Sequence, residues 1–256
     1  MERKPIWQEI HEVRFGAVDN SDSMTLDTVF NYFQEAAISH AENLGVGREA
    51  LARDKQAWII SRMSVQVMRR PKYRENIIVR TWPCGGEKLF AFRNYEILDS
   101  SGYSAVRAKS CWLIIDTEKR RPLRPKTIVD SLPANEGQDL PITVRCLEEH
   151  PGLLKTDERR ALYSDLDYNG HVNNVSYIKW LEDAMDSALL EQAVQLQFDI
   201  NYLNEILPGE TAGIWSAVFD VPAALAAGEA PSHAFAFEGR KVPGGQPAFR
   251  AELQLW

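Results

Sequence analysis

The stretch Ser164–Trp180 has the sequence SDLDYNGHVNNVSYIKW, and its character changes in the middle. Its first half is polar and contains a glycine, as turns do, whereas Val175 and Ile178 begin a series of apolar residues at three- and four-residue spacing. Such spacing is typical of an amphipathic helix. We therefore predict a polar turn that leads into a helix over residues 175–190, with Asn173 or Asn174 as its N-cap.

A similar arrangement occurs in the first half of the chain. Residues 25–44 also have apolar side chains at helical spacing, and alternating strand-like runs follow both helices. An offset of 147 residues aligns Glu35 with Glu182 and Phe33 with Trp180. Self-similarity at a fixed offset indicates duplication, and the alternative is two unrelated α+β domains of similar size. The predicted fold class is α+β, with two tandem units that each have a long helix wrapped by an antiparallel sheet.

The boundaries of these units follow from a segment rich in proline and glycine between the copies. We assign residues 1–130 to the first domain, 131–158 to a linker and 159–256 to the second domain. The second domain contains the polar turn, so we expect the chemistry there.

The composition excludes several classes of protein. Apolar residues make up 45% of the 256, charged residues 25%, and the net charge is −7, which is typical of a globular protein and unlike a nucleic-acid binder. The sequence has no run of about 18 uncharged apolar residues, so we predict no membrane helix. The start of the chain has no apolar signal segment, and Cys84, Cys111 and Cys146 form no CxxC pair. We expect a cytoplasmic protein.

Three polar residues alternate along the turn before the second helix, namely Asp167, Asn169 and His171. Residues two apart in an extended segment point to the same side, so the three side chains are expected to converge. The N–H groups at the start of the following helix would stabilise a developing oxyanion. Together these groups suit the addition of water to a carbonyl. At the 147-residue offset the His171 position is Met24, so the first copy has no base there.

Residues 164–180 closely resemble the signature segment of the acyl-ACP thioesterases. The resemblance continues, in order, through residues 31–37 (NYFQEAA), 58–63 (WIISRM), 111–116 (CWLIID) and 120–123 (RRPL). It implies two tandem hotdog domains that form a pseudo-dimer within one chain. It also implies hydrolysis of the thioester between a fatty acyl chain and the 4′-phosphopantetheine arm of acyl carrier protein, which releases a free fatty acid in fatty-acid biosynthesis. The family uses no metal and no organic cofactor.

By this resemblance, Asp167, Asn169 and His171 are the catalytic residues. Either Asp167 accepts a proton from water with His171 as relay, or its carboxylate attacks the thioester directly; we favour the activated water because a thiolate leaves readily. Plant members have a Glu-Cys pair on the strand after the second helix, and counting from Leu196 places that pair at Asn201-Tyr202. The extra carboxylate is therefore expected to be absent. Asp199, two residues earlier on the same strand face, is either a substitute for it or, as we favour, an exposed strand carboxylate.

Other residues have less specific signals. Residues 205–210 (EILPGE) are interpreted as a strand-to-turn corner without a catalytic role. Two basic runs, 69–74 and 119–126, are either solvated turns or docking sites for the acidic carrier protein. The candidate docking residues are Arg69, Arg70, Lys72 and Arg74. The candidate substrate-binding residues, which are more often plain core, are Phe33, Trp58, Met63, Met68 and Asn174.

Rival functions remain open at this stage. An acyl-CoA thioesterase would perform the same chemistry on another carrier. A hotdog hydratase would have two residues between Asn and His, whereas only Gly170 separates Asn169 from His171. A non-catalytic acyl-thioester sensor would need an output module that the chain has no residues left to build. Acyl carrier protein is the expected partner, without nucleic acid or membrane, for a monomeric pseudo-dimer or a homodimer.

Overall fold

The computed structural model describes residues 2–220 and 230–256. The first half contains six strands and three helices, which are β1 (Trp7–Glu12), α1 (Leu26–Asn43), α2 (Arg48–Arg53), β2 (Gln56–Val67), β3 (Asn76–Glu87), β4 (Phe90–Asp99), β5 (Ser104–Asp116), β6 (Arg121–Leu123) and α3 (Lys126–Val129). The described part of the second half repeats this order, with β7 (Leu154–Arg160), α4 (Asn174–Asp183), α5 (Ser187–Gln192), β8 (Leu196–Tyr202), β9 (Thr211–Val218), β10 (His233–Val242) and β11 (Pro247–Leu255).

The strands form one antiparallel sheet that continues through both halves. Its order is β1-β3-β4-β5-β2-β8-β11-β10-β9-β7, with β6 added to β5. The order is the same from either end when β1, β2, β3, β4 and β5 are matched with β7, β8, β9, β10 and β11, respectively. The halves join where β2 pairs with β8, and Val65 lies opposite Phe198 there. The predicted α+β fold of two helix-and-sheet units in one chain is therefore confirmed, and the units are related by a pseudo-twofold axis.

Helix α1 covers the sheet because its apolar residues recur at helical spacing. Val29, Phe30 and Phe33 are all at most 4% exposed, and the Phe30 ring packs edge-on against Phe198 of the other half, 5.7 Å between centroids. Burying one such side chain stabilises the fold by about 1.5–3 kcal/mol. The helix ends at Asn43, and Gly45 just beyond it has a φ of 75°, in the left-handed region that glycine adopts most readily. The hydrophobic core beneath α1 therefore includes residues of both halves.

The second helix differs from the prediction. The expected single helix over 175–190 is interrupted, because α4 ends at Asp183 and α5 begins at Ser187. The Asp186 carboxylate accepts a hydrogen bond from Ala188 N at 3.0 Å and caps the new helix. A capping residue within an apolar repeat thus divides the helix in two.

The segment between the copies crosses the outer face of the sheet. Asn201 of β8 accepts a hydrogen bond from Leu147 N at 2.8 Å and donates one to Arg145 O at 3.1 Å. Lys109 of β5 binds Asp139 at 2.8 Å. The segment is shorter than the predicted linker, since residues 154–158 already belong to β7.

Asp199 corrects a second expectation. Its side chain is not an exposed strand carboxylate, because Asp199 is 2% exposed and accepts hydrogen bonds from Ser64 Oγ and, at 2.6 Å, from Arg145 Nη2. Residues 199 and 201 lie on the same side of β8, so both face the crossing segment. The role of Asp199 is to fix that segment to the join between the halves.

Candidate active site

The turn that leads into α4 is closed by backbone hydrogen bonds. Asp167 N donates to His171 O at 2.8 Å, and Gly170 N donates to Asp167 O at 3.0 Å. Gly170 has a φ of 78°, so the tight return of the chain needs the freedom of glycine there. Asn173 is the N-cap of α4, since its side chain accepts from Val175 N at 3.0 Å. Of the two predicted caps, Asn173 is the correct one.

The Asp167 carboxylate organises this turn. Its Oδ1 accepts from Asn169 N at 2.8 Å and from His171 N at 3.3 Å, and its Oδ2 accepts from Asn169 Nδ2 at 3.1 Å. The structure thus brings Asp167 and Asn169 into side-chain contact, whereas His171 meets the carboxylate through its backbone. Asp167 and His171 are partly exposed and Asn169 is exposed, so a substrate has access to all three.

The His171 ring points to a carboxylate that the sequence analysis did not select. His171 Nε2 lies 3.6 Å from Glu205 Oε2, and Arg120 Nη2 donates to Glu205 Oε1 at 2.5 Å. Glu205 follows β8 in a loop that Ile206 holds in place, since Val172 N donates to Ile206 O at 2.9 Å and Ile206 is fully buried. Residues 205–210, interpreted from the sequence as a corner without a catalytic role, thus include a carboxylate that lies 3.6 Å from the His171 ring.

Asn201 has a different place from the one expected. Counting along β8 placed the position of the plant glutamate at Asn201-Tyr202, and the extra carboxylate was expected to be missing. Asn201 is 3% exposed and is bonded to the crossing segment on the outer face, whereas Tyr202 packs near Tyr177 with ring centroids 6.0 Å apart. The carboxylate beside His171 is Glu205, a few residues further along the chain.

Two buried tyrosines lie beneath the turn. The Tyr202 hydroxyl donates to Asn174 O, the first residue of α4, at 3.4 Å. Burial raises the pKa of both the Tyr177 and the Tyr202 phenol, and the nearby charges of Asp167 and Glu205 add to the rise at Tyr177. Both phenols therefore stay protonated at neutral pH and support the turn as neutral groups.

The first copy contains the same turn at an offset of 148 residues. Asp19 Oδ1 accepts from Ser21 N at 2.8 Å and from Ser23 N at 3.2 Å, as Asp167 does from residues 169 and 171. Asp22, with a φ of 57°, lies where Gly170 lies. Ser23, and not Met24, is therefore the counterpart of His171. Met24 is fully buried and forms an isolated bridge with Val18, the equivalent of Val172 with Leu166.

The helices also follow the 148-residue offset, which corrects the predicted pairing of Glu35 with Glu182. The new offset aligns the buried Phe30 and Phe33 with Ile178 and Leu181, which are also buried. Glu35 is exposed, whereas Glu182 is partly buried and bonded to the start of α1. The apolar residues of the two helices can be matched at an offset of 147 or of 148 residues. The helix sequences alone therefore did not decide the offset.

Cations close the turn of the first copy. Arg70 Nη1 donates to Asp19 Oδ2 at 2.6 Å, and Lys72 Nζ donates to Ser23 Oγ at 2.7 Å. Burial opposes ionisation of Asp19, but hydrogen bonds from Ser21 and the charge of Arg70 hold its pKa below the usual value. This turn has no imidazole, and its Asp19 carboxylate is paired with Arg70.

A second carboxylate closes the start of α1. Glu182 of α4 accepts from Leu26 N at 2.7 Å and from Asp27 N at 3.0 Å. Burial, followed by the charge of Asp27, raises the pKa of Glu182 to about 8. The N–H groups of α1 that correspond to the start of α4 are therefore already bonded within the protein.

The predicted docking cations are mostly engaged in internal contacts. Arg69 forms a two-point ion pair with Glu75 at 2.6 and 2.8 Å, and Arg70 and Lys72 bind the first-copy turn. Arg74 is exposed and lies over the Tyr73 ring at 5.3 Å. Among the described residues, Arg69 and Arg70 form salt bridges, Lys72 donates hydrogen bonds to Ser21 and Ser23, and Arg74 contacts only the neighbouring Tyr73 ring.

The predicted substrate-binding residues are dispersed through the first half and the start of α4. Phe33 and Met63 are core residues, 1% and 3% exposed. The Trp58 indole donates to Val46 O at 2.9 Å, and Met68 is partly exposed just after β2. Asn174 begins α4 beside Tyr202. Their role in binding an acyl chain stays a prediction.

The thiols of Cys84 and Cys111 are poorly suited to act as nucleophiles. Burial raises the pKa of Cys111 to about 11 and that of Cys84 to about 12, which disfavours a thiolate at either position. Within residues 2–220 and 230–256, no three His, Cys, Asp or Glu side chains are grouped to hold a metal ion. In the same ranges, no helix is both long and apolar enough to span a membrane.

The duplicated helix-and-sheet architecture is that of a tandem hotdog protein. The acyl-ACP thioesterase from Bacteroides thetaiotaomicron has the same fold, with a TM-score of 0.81 at 22% identity over 98% of both chains. So does a 12:0-ACP thioesterase from Umbellularia californica, with a TM-score of 0.82 at 19% identity over 100% of this chain and 95% of the other.

Sequence models give the family. The model of the acyl-ACP thioesterase N-terminal domain matches residues 4–131, and that of the C-terminal domain matches 154–246. The chain belongs to the acyl-ACP thioesterase family. A chloroplastic acyl-[acyl-carrier-protein] hydrolase of Cuphea viscosissima is 26% identical over 226 residues, 78% of this chain and 52% of its own length. A palmitoyl-acyl carrier protein thioesterase of Arabidopsis thaliana is 24% identical, with the same coverage. The chain spans about half the length of these curated relatives.

Proposed function

We propose that this chain hydrolyses the thioester of fatty acyl-[acyl carrier protein] and releases a free fatty acid and the carrier thiol. One observation supports the proposal above others: in a chain of this family, His171 lies between the Asp167 turn and the Glu205 carboxylate at the start of α4. An imidazole oriented by a carboxylate is the arrangement that general-base hydrolysis requires.

In the proposed reaction, Glu205 accepts the Nε2–H of His171, so that Nδ1 is left to take a proton from water. The 3.6 Å separation is longer than a hydrogen bond, and such contacts often tighten when substrate binds. The water oxygen then bonds to the thioester carbonyl carbon. The carbon–sulfur bond breaks as the tetrahedral intermediate collapses, and the thiolate takes the proton that His171 received from water.

Asp167 and Asn169 have a different part in this proposal. Three N–H groups donate to the Asp167 carboxylate, and each such bond draws electron density from the oxygens and makes them poorer nucleophiles. We therefore favour activated water over direct attack by Asp167. Asp167 shapes the turn, while the Asn169 amide and the start of α4 face the developing oxyanion.

Acyl-CoA hydrolysis is the second candidate, because CoA and the carrier protein share the phosphopantetheine thioester. The test is a panel of acyl-ACP and acyl-CoA substrates with matched acyl chains, assayed side by side for kcat/KM. The proposal expects acyl-ACP to be the better substrate at every chain length that reacts. A higher kcat/KM for acyl-CoA would make acyl-CoA hydrolysis the function instead. If neither kind of thioester were hydrolysed, both candidate functions would be refuted.

A further inference from the structure

Arg120 comes from the first half of the chain and reaches the candidate active site of the second. It lies at the tip of the β5–β6 hairpin, where Asp116 of β5 pairs with Arg121 of β6. The Asp116 carboxylate accepts from Glu118 N at 3.0 Å and Lys119 N at 2.8 Å, which fixes the turn. Arg120 itself has a φ of 49°. A left-handed residue that is not glycine or asparagine is uncommon, and here it directs the side chain toward the other half.

The guanidinium and the imidazole share one carboxylate. Glu205 Oε1 accepts from Arg120 Nη2 at 2.5 Å, while Glu205 Oε2 faces His171 Nε2 at 3.6 Å. A glutamate side chain has several rotamers, and a cation on one carboxylate oxygen selects those that direct the other oxygen to His171. Its two oxygens are thus divided between a cation from one half and a base from the other.

We infer that Arg120 is a positioning residue that orients Glu205 toward His171 and balances the Glu205 charge. The inference rests on the proposed hydrolysis, and it assigns the first half a direct share in the active site.

The surrounding charges determine what the loss of Arg120 would do. The groups around His171 are Glu205, the Asp167 carboxylate on the His171 backbone N–H, and Arg120 behind Glu205. Tyr177 beneath the site is neutral, and Glu210 nearby is paired with Lys241 at 2.9 Å. Removing Arg120 leaves the negative charge of Glu205 without its counterion. The protonated imidazole is then favoured, so the base form of His171 requires a higher pH.

Stability is not expected to change much. The side chain of Arg120 is 74% exposed, and exposed ion pairs contribute little to folding. A loss of activity in an Arg120 variant therefore would not be explained by unfolding.

The experiment compares Arg120→Gln, Arg120→Lys and a matched control, Lys88→Gln. Lys88 is also a hairpin-tip cation with a positive φ of 57°, and its only ion pair among the described residues is with the adjacent Glu87. We expect Arg120→Gln to lower kcat about tenfold with acyl-ACP and with a short acyl-pantetheine thioester alike, with KM little changed. The acid limb of its kcat/KM profile should move to higher pH. Arg120→Lys should restore part of both, and Lys88→Gln should match the parent protein.

Two results would overturn the inference. An increase in KM confined to acyl-ACP would make Arg120 a docking cation, and an unmoved pH profile would deny its influence on His171. If the parent protein hydrolyses no thioester, the proposed function fails by itself. The inference is then decided by NMR titration of the His171 ring, where Arg120→Gln must raise the titration midpoint relative to Lys88→Gln and an equal midpoint refutes it.

Discussion

Asp19 and Asp167 occupy the same position in two copies of one turn, 148 residues apart. Each carboxylate accepts backbone N–H bonds from the residues two and four positions later. What differs is what surrounds them: Asp19 is paired with Arg70, whereas the Asp167 turn presents His171 to Glu205. The two copies thus have equivalent turns, and of the two only the second presents an imidazole to a carboxylate.

Glu205→Gln tests the carboxylate that the structure adds to the site. Glutamine retains the shape but lacks the charge that favours a proton on the facing imidazole nitrogen. We expect kcat for acyl-ACP to fall on the order of 10²-fold while KM changes little, as measured by steady-state kinetics.

The control is Asn201→Ala, at the position where counting along β8 had placed the plant glutamate. This variant leaves Leu147 N without its acceptor, so the free energy of unfolding should fall by about 1–3 kcal/mol. Its kcat, per folded molecule, should stay near that of the parent protein. A kinetic loss at position 201 with no loss at 205 would reverse the assignment.

Arg70→Gln tests whether the first basic run docks the carrier or supports the fold. Arg70 is 10% exposed, binds Asp19 at 2.6 Å and also donates to Glu191 O of the second half at 3.1 Å. Its removal leaves the Asp19 carboxylate without a counterion. We therefore expect the free energy of urea unfolding to fall on the order of 2 kcal/mol.

The matched variant is Arg74→Gln, because Arg74 is exposed. If the run docks the carrier, Arg74→Gln should raise KM for acyl-ACP and leave a short pantetheine thioester unaffected. A carrier-specific defect in Arg70→Gln, with unchanged stability, would show that the internal ion pair is not its main role.

Glu182→Gln tests the buried carboxylate at the start of α1. Its pKa is raised from 4.5 to about 8, so between those values the folded state holds a proton that the unfolded state has released. The unfolding free energy of the parent protein should therefore decline across this range relative to that of Glu182→Gln, which cannot ionise. Urea unfolding of both proteins at pH 5 and pH 8 measures the difference. An advantage of the variant that does not grow with pH would show that Glu182 has no such proton.

Much of the fold follows from local pattern. The apolar repeat of α1 and the alternation along β3, β4 and β5 predict their elements, because a helix or strand must bury one face. The break between α4 and α5 was missed, since Asp186 interrupts a repeat that stays apolar on both sides. The register between the copies was also missed by one residue, because only the hydrogen bonds of the turn distinguish 147 from 148.

The candidate active site was likewise predictable only in part. Asp167, Asn169 and His171 are close in sequence, so their proximity was predictable, and their catalytic roles stay a prediction. Glu205 lies near His171 through a tertiary contact between two loops of the second half, and Arg120 reaches Glu205 from the first half. A single sequence does not show such contacts. The one local signal was Ile206, an apolar residue beside Glu205 in a polar corner, which anchors the loop.

The most direct test of the account is kcat with acyl-ACP for His171→Ala beside Ser23→Ala, its counterpart in the first copy. Loss of the base should cut kcat by about 10²–10⁴-fold, whereas Ser23→Ala removes an acceptor of Lys72 and should leave turnover near that of the parent protein. Circular dichroism confirms that both variants are folded. Equal losses in the two folded variants, or a His171→Ala protein that still turns over normally, would contradict the assignment of hydrolysis to the second copy.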